Sequence, residues 1–396
     1  MSDESAIPSS VPKPELIAAI KAAEGQEPEA EALRSGIALC MSGGGYRAML
    51  FHAGALWRLN QIGYLRKLNR ISSVSGGSIT AGVVGAHWAQ LAFDTNGVAA
   101  AFGNQLVEPI RALAGRTIDV GAVLSGFLPG ITASSRVVAA YRKHLFGRRT
   151  LQDLPDWQDG PQFVINATNV QSGVLWRFAK PYIRDWRVGK IEKPLTELAV
   201  AVAASSAFPP VLSPVRLHFN DGDFVPGTGK NLQRPPFTTE VALADGGVYD
   251  NMGLETAKSF ETILVSDAGK AMTFQEKPRT DWLLHTVRVL EVIQNQVHAL
   301  RTRDLIAGFR SKQRQGAYWG IGTDIADYKV ADGLPCPHSK TLVLAAWPTR
   351  LAAVPKEIQE RLINWGFAVC DAAVRAYFDP NLPKPAGFPY PDQGVG

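Results

Sequence analysis

Three short stretches of this 396-residue chain hold residue types able to do chemistry. They are Ser42-Gly43-Gly44-Gly45-Tyr46-Arg47-Ala48, Ser73-Val74-Ser75-Gly76-Gly77 and Ala244-Asp245-Gly246-Gly247. A glycine turn between a strand and a helix leaves backbone N–H groups unpaired, with the positive end of the helix dipole behind them. Something anionic, or becoming anionic, belongs at that spot. The second stretch fits the nucleophile elbow Gly-x-Ser-x-Gly except at its first position, where Ser73 replaces glycine. Small residues there let a sharp turn lift Ser75 above a sheet. A serine hydroxyl needs a base, and no carboxylate lies near it in sequence. Asp245 stands where the apolar run 241–244 ends, and the two glycines after it keep its approach clear; in isolation Asp-Gly-Gly is an ordinary turn.

The glycine turn alone leaves several readings. As Gly-x-Gly-x-x-Ala it fits a dinucleotide fingerprint, which also wants an acid roughly 20 residues on. No Asp or Glu occurs between Glu31 and Asp94, so an NAD site lacks that anchor; Arg66 and Lys67 would suit a 2′-phosphate, so an NADP-binding oxidoreductase stays open. A P-loop needs Gly-Lys-Ser/Thr after the glycines, and Tyr46-Arg47-Ala48 does not supply it. The remaining reading is an oxyanion hole for acyl transfer.

Taken together and in this order, the three stretches resemble the patatin-like phospholipases. The Gly-Gly-Gly-Tyr-Arg form also resembles the related cytosolic phospholipase A2 catalytic domain. Asn166-Ala167-Thr168-Asn169 and Ala203-Ala204-Ser205-Ser206-Ala207-Phe208-Pro209-Pro210 look like further blocks of the family, so the likeness covers about residues 36–270. It implies a three-layer α/β fold, with helices on both faces of a mostly parallel central sheet. It also implies a lipid acyl hydrolase that needs no metal or organic cofactor and takes phospholipid or lysophospholipid. Ser75 would be the nucleophile and Asp245 the base of a Ser–Asp dyad. The amides of Gly43, Gly44, Gly45 and Tyr46 would form the oxyanion hole, with Gly76 a further donor, and Arg47 would steady the lipid phosphate. An Asp at its ordinary pKa of about 3.9 is a poor base, so burial has to raise it. A Ser-His-Asp esterase acting on neutral esters is the alternative. His338 is its one credible histidine, because His285 and His298 fall in a helical stretch and His52 reads as a packed residue.

The elements that must position these groups alternate between apolar runs and helical stretches, the α/β pattern. Strands are expected at 36–41, 71–74, 163–168, 174–178, 241–244 and 262–266, and helices at 46–59 and from 78 to about 91. Two long helices are expected at 282–306 and 356–377, both read as core-packing. Because the three functional stretches must meet, one catalytic domain is expected over 33–378, its part from about 281 to 378 helical. It follows an acidic mobile leader at 1–32, with a short helix near 14–23, and precedes a Pro-rich extended tail at 379–396.

Composition narrows the class. Hydrophobic residues make up 46% and charged ones 19%, which excludes a disordered chain. Three separated cysteines exclude a disulfide framework or a cysteine-rich zinc site. Neither a Sec-type signal nor an apolar run of roughly 18 residues is visible, so the expectation is a cytoplasmic protein, peripheral to membranes at most. The net charge of +5 reads as a bias toward anionic lipid, and no nucleic-acid motif accompanies it. The apolar stretch 120–132, followed by Arg136, Arg142, Lys143, Arg148 and Arg149, is the expected contact with an anionic membrane surface.

Overall fold

The sequence places β-branched and apolar residues in short runs before each functional turn, and these runs become the middle of one sheet. A computed structural model describes residues 33–396 except 119–132, 270, 271, 273 and 279. In chain order its main elements begin with β1 (Arg34–Met41), α1 (Gly45–Gln61), β2 (Leu68–Val74), α2 (Gly76–His87), α3 (Glu108–Ala114) and α4 (Ala133–Tyr141). Next come β3 (Gln162–Asn169), β4 (Val174–Phe178), β5 (Tyr182–Asp185), β6 (Gly189–Glu192), α5 (Leu198–Ser205), β7 (Val215–His218), β8 (Glu240–Asp245) and α6 (Gly247–Asp250). The last are β9 (Phe260–Asp267), α7 (Trp282–Arg310), β10 (Gln315–Gly320), α8 (His338–Ala345) and α9 (Lys356–Tyr377). The expected leader helix and the membrane-contact stretch 120–132 lie outside the described residues.

The strands form one mixed sheet in the order β10-β9-β1-β2-β3-β4-β5-β6, with β8 also on β3 and β7 on β8. The five from β10 to β3 run parallel. Most of their later residues are buried, because helices cover the sheet. Beyond β3 the strands turn antiparallel. Strand β8 therefore meets β3 head to tail, with Asp245 opposite Ala167; the preceding residue, Asn166, pairs with Val74 at the end of β2. This register brings Asp245 to the edge where β1 and β2 end.

Residues 33–396 form one compact unit. The stretch after 281 is not purely helical, because β10 extends the parallel sheet alongside β9. The Pro-rich end departs from the expected extended tail. It has no regular structure, yet Asn364 Nδ2 donates to the carbonyls of Tyr390 and Gly394, and Val395 is buried. Helix α9 packs along α1, and glycines set the distance. A Cβ on Gly54 would sit 1.9 Å from the Ile363 carbonyl oxygen, and one on Gly366 would sit 1.9 Å from that of Phe51. Only glycine permits this reciprocal backbone contact. Beside it, Arg58 and Asp371 make a buried ion pair at 2.7 Å.

Candidate active site

Ser75 sits between β2 and α2 with φ 51° and ψ −119°, a conformation that costs a non-glycine residue about 1–3 kcal/mol. Its surroundings hold it there. The Ser75 N–H donates to Ser205 Oγ at 2.9 Å, and Ser205 Oγ donates to the Asn166 carbonyl at 2.6 Å. Ser73, the departure from the elbow pattern, uses its hydroxyl: Ser78 Oγ donates to it at 3.0 Å. Glycine is obligatory next to Ser75, since a Cβ on Gly76 would lie 2.2 Å from the Gly45 carbonyl oxygen. Ser75 itself is 9% exposed, whereas Ser73, Ser78 and Ser205 around it are fully buried.

The glycine turn lies against the same residue. A Cβ on Gly43 would come within 3.1 Å of Ser75 Cβ and 2.5 Å of Asn251 Oδ1. Gly44 and Gly45 adopt φ 143° and 59°, which excludes side chains. Of the four amides expected to hold an oxyanion, two are engaged inside the protein. Gly43 N–H donates to the Asn251 carbonyl and Tyr46 N–H to the Arg350 carbonyl, each at 3.0 Å. The amides of Gly44, Gly45 and Gly76 have no hydrogen-bond acceptor among the described residues. The uncommitted amides are therefore those in the middle of the turn and that of the residue after Ser75.

Asp245 is 2% exposed. Burial pushes its carboxyl up to about 6, against the opposing pull of the Gly247 N–H and the Ser75 hydroxyl. Oδ1 accepts the Gly247 N–H at 2.7 Å, while Oδ2 has no partner at full hydrogen-bond distance. The Ser75 hydroxyl thus lies close enough to favour the carboxylate without yet holding a tight bond, as resting catalytic pairs often do. The turn is fixed by Asp245 N–H to the Ala207 carbonyl and Gly246 N–H to the Ser205 carbonyl. The Ala-Ser-Ser-Ala block thereby fastens both Ser75 and Asp245.

Arg47 is placed differently from its expected role at a lipid phosphate. It is fully buried, and its two terminal nitrogens donate to the Trp347 and Ala268 carbonyls at 2.6 and 2.9 Å. Burial lowers its pKa to about 10. Its bonds tie the segment before α9, and the turn after β9, to the glycine turn. His52 is the packed residue expected. Its Nε2 donates to the Ser42 carbonyl at 2.9 Å, and burial lowers its pKa to about 4. His338 begins α8, which packs on α9, and no histidine is among the groups acting on Asp245.

Two neighbours, Asn251 and Tyr141, escaped the sequence reading, and a third, His298, was read only as a residue of a helical stretch. Asn251 braces the glycine turn, as noted, and its Oδ1 would also be 2.6 Å from a Cβ on Gly247. Tyr141 on α4 is buried near enough to Asp245 that, after burial itself, the carboxylate raises its pKa. His298 on α7 bonds Asp267 at 2.7 Å, which also accepts the Tyr318 hydroxyl at 2.7 Å. Burial would lower the His298 pKa, but the Asp267 carboxylate outweighs it and holds the imidazole above its usual value. An Asn six residues after Asp245 was the available signal for Asn251. Tyr141 and His298 carry none, since each reaches the site across the fold.

A family model described as patatin-like phospholipase matches residues 39–258. No curated protein matches the chain. Among solved structures, human GIVD cytosolic phospholipase A2 is similar at 14% identity and a TM-score of 0.48, covering 84% of this chain and 58% of that one. Its complex with methyl gamma-linolenyl fluorophosphonate is similar at 14% identity and 0.48, covering 90% and 60%. VipD from Legionella pneumophila is similar at 15% identity and 0.34, covering 86% and 66%. The chain thus spans about three-fifths of the length of the human structures it matches.

Proposed function

The chain belongs to the patatin-like phospholipase family, and from that membership we propose that it hydrolyses acyl esters of phospholipid or lysophospholipid through an acyl-serine intermediate. One observation carries this reading: a strained Ser75 beside a buried carboxyl raised to about 6, with the amides of Gly44, Gly45 and Gly76 uncommitted. Asp245 takes the Ser75 proton as Oγ attacks the ester carbonyl carbon. The oxyanion accepts the N–H groups of Gly44, Gly45 and Gly76. Collapse breaks the ester C–O bond, and Asp245 returns its proton to the leaving alkoxide. Water, deprotonated by Asp245, then attacks the acyl-serine, releasing a fatty acid and restoring Ser75. Raised basicity makes this exchange feasible near neutral pH.

No helix among the described residues is long and apolar enough to cross a membrane, and the proposal is a cytoplasmic enzyme that meets its substrate at a lipid surface. Of the basic residues expected to attract anionic lipid, Arg142 pairs with Glu197 at 2.7 Å, while Arg136, Lys143 and Arg148 are exposed. The test compares fatty-acid release from mixed phospholipid vesicles. Ser75→Ala and Asp245→Ala should abolish it, while His338→Ala keeps most of it; the reverse pattern for Asp245 and His338 would overturn the dyad. In the wild type kcat/KM should rise with pH through about 6, because the base must be ionised.

A further inference from the structure

Helix α7 leaves much of its apolar surface uncovered. Trp282, Val289, Leu290, Ile293, Val297 and Leu300 are 80, 43, 48, 53, 38 and 52% exposed. At the helical repeat, these six positions fall within an arc of about 100°, one continuous stripe. The helix is moored elsewhere on its circumference and toward its C-terminal half. His298 bonds Asp267, Arg301 pairs with Glu255 at 3.0 Å, and Leu305 is buried against the β9 side of the sheet with Met252, Leu254 and Phe260. The mooring turns the stripe sideways, toward the active-site rim. Ile293 and Val297 line a pocket of about 40 Å³ together with Gly247, Val248, Asn251 and His298. Gly247 is the residue whose amide holds Asp245. Val248, 41% exposed, continues the apolar surface around the rim.

We propose that the α7 stripe is the surface that seats on the lipid–water interface and brings the Ser75 mouth to the substrate, an inference that rests on the phospholipid reading above. Continuity with the rim favours this occupant. A second copy of the chain seated on the same stripe would stand over the opening that the substrate must enter, whereas a lipid surface is itself the source of that substrate. The stripe also starts at an exposed tryptophan, suited to the headgroup level. Charge is not the attraction, since the exposed ionic residues of α7, Glu291, Arg303, Asp304 and Arg310, are of both signs. Attachment should therefore come from apolar burial and survive salt, unlike attraction through Arg136, Lys143 and Arg148.

The experiment uses the full chain carrying Ser75→Ala, so that vesicles stay intact, and measures co-sedimentation with phosphatidylcholine vesicles at low and high salt. The parent should bind at both. Leu290→Asp with Leu300→Asp should lower partitioning by about tenfold or more without changing the melting temperature; Leu290→Ser with Leu300→Ser serves if the first pair alters it. Asn295→Asp, on another side of the helix, should bind like the parent. The proposal is overturned if the parent fails to bind, if binding disappears with salt, or if the double variants bind normally. It is equally overturned if the stripe variants convert a dimeric parent to monomers while vesicle binding persists. Failure of the hydrolase reading is a separate result, read from wild-type turnover of a water-soluble ester.

Discussion

Helices α7 and α9 are both long and carry apolar residues at helical spacing, and they meet opposite fates. Helix α9 buries fourteen of its residues between Gln359 and Val374. Leu305 is the one residue of α7 that is buried among those whose side chains are described. Both were expected to pack in the core, and for α7 that expectation fails. The difference lies in the residues between the large apolar ones. Helix α9 intersperses Gly366, Ala368, Ala372 and Ala373, which let α1 approach to backbone contact. The α7 stripe is built of Leu, Val, Ile and Trp, which hold any partner off at side-chain distance. Periodicity reports that a helix has an apolar face, and small residues report whether another helix can close on it.

The comparison can be broken most decisively at Gly366. Val there would drive Cβ into the Phe51 carbonyl and should cost more than about 3 kcal/mol, read as loss of folded protein or of the urea midpoint. Next, Arg58→Met leaves buried Asp371 only the more distant Arg375, at 3.4 Å, and should cost about 3 kcal/mol by the same measurement. A smaller effect tests the α7 mooring. The raised His298 pKa stabilises below about 6.5, and that contribution disappears as pH rises through the folded-state value. The depressed Asp267 pKa contributes above about 3.9 and is lost on further acidification. The free energy of opening of α7, from hydrogen exchange corrected for the intrinsic pH dependence of amide exchange, should therefore be largest between about pH 4 and 6.5 and fall above it, and His298→Ala should remove that fall. Smallest of all, Leu300→Ala should change stability by no more than about 0.5 kcal/mol, as at an exposed site. A larger loss would mean that α7 is covered after all.

Much of the site is legible in the chain because its groups are local to sharp turns. Gly43 to Gly45 and Ser75 to Gly77 each follow an apolar run and open a helix, and turn chemistry identifies both. Asp245 follows from the same logic at a strand end. The availability of each amide is not legible. The acceptors of Gly43 and Tyr46 come from Asn251 and Arg350, and no local pattern shows such distant carbonyls. Arg47 illustrates the same limit, because its neighbours in sequence suggest a ligand while the Trp347 and Ala268 carbonyls take its two terminal nitrogens. In the fold, the strands at the ends of the parallel and antiparallel runs were the hardest to see. Strands β5, β6 and β7 have four residues each, and β10 has glycine near both ends, too little pattern for a period-2 signal.

The carbonyl of Arg350 that closes the Tyr46 amide also concerns the order in which the chain is made. The family-matched stretch ends at residue 258, before β9 and β10 and long before α9. Up to that point β1 lacks a neighbour on one side, α1 has nothing against Gly54, and the glycine turn is missing the acceptors at Ala268, Trp347 and Arg350. During synthesis Ser75 and Asp245 thus emerge well before the segments that brace the glycine turn beside them. The glycine turn has all of these partners only once the segment through Arg350 has joined, and α1 meets its glycine contact only with α9.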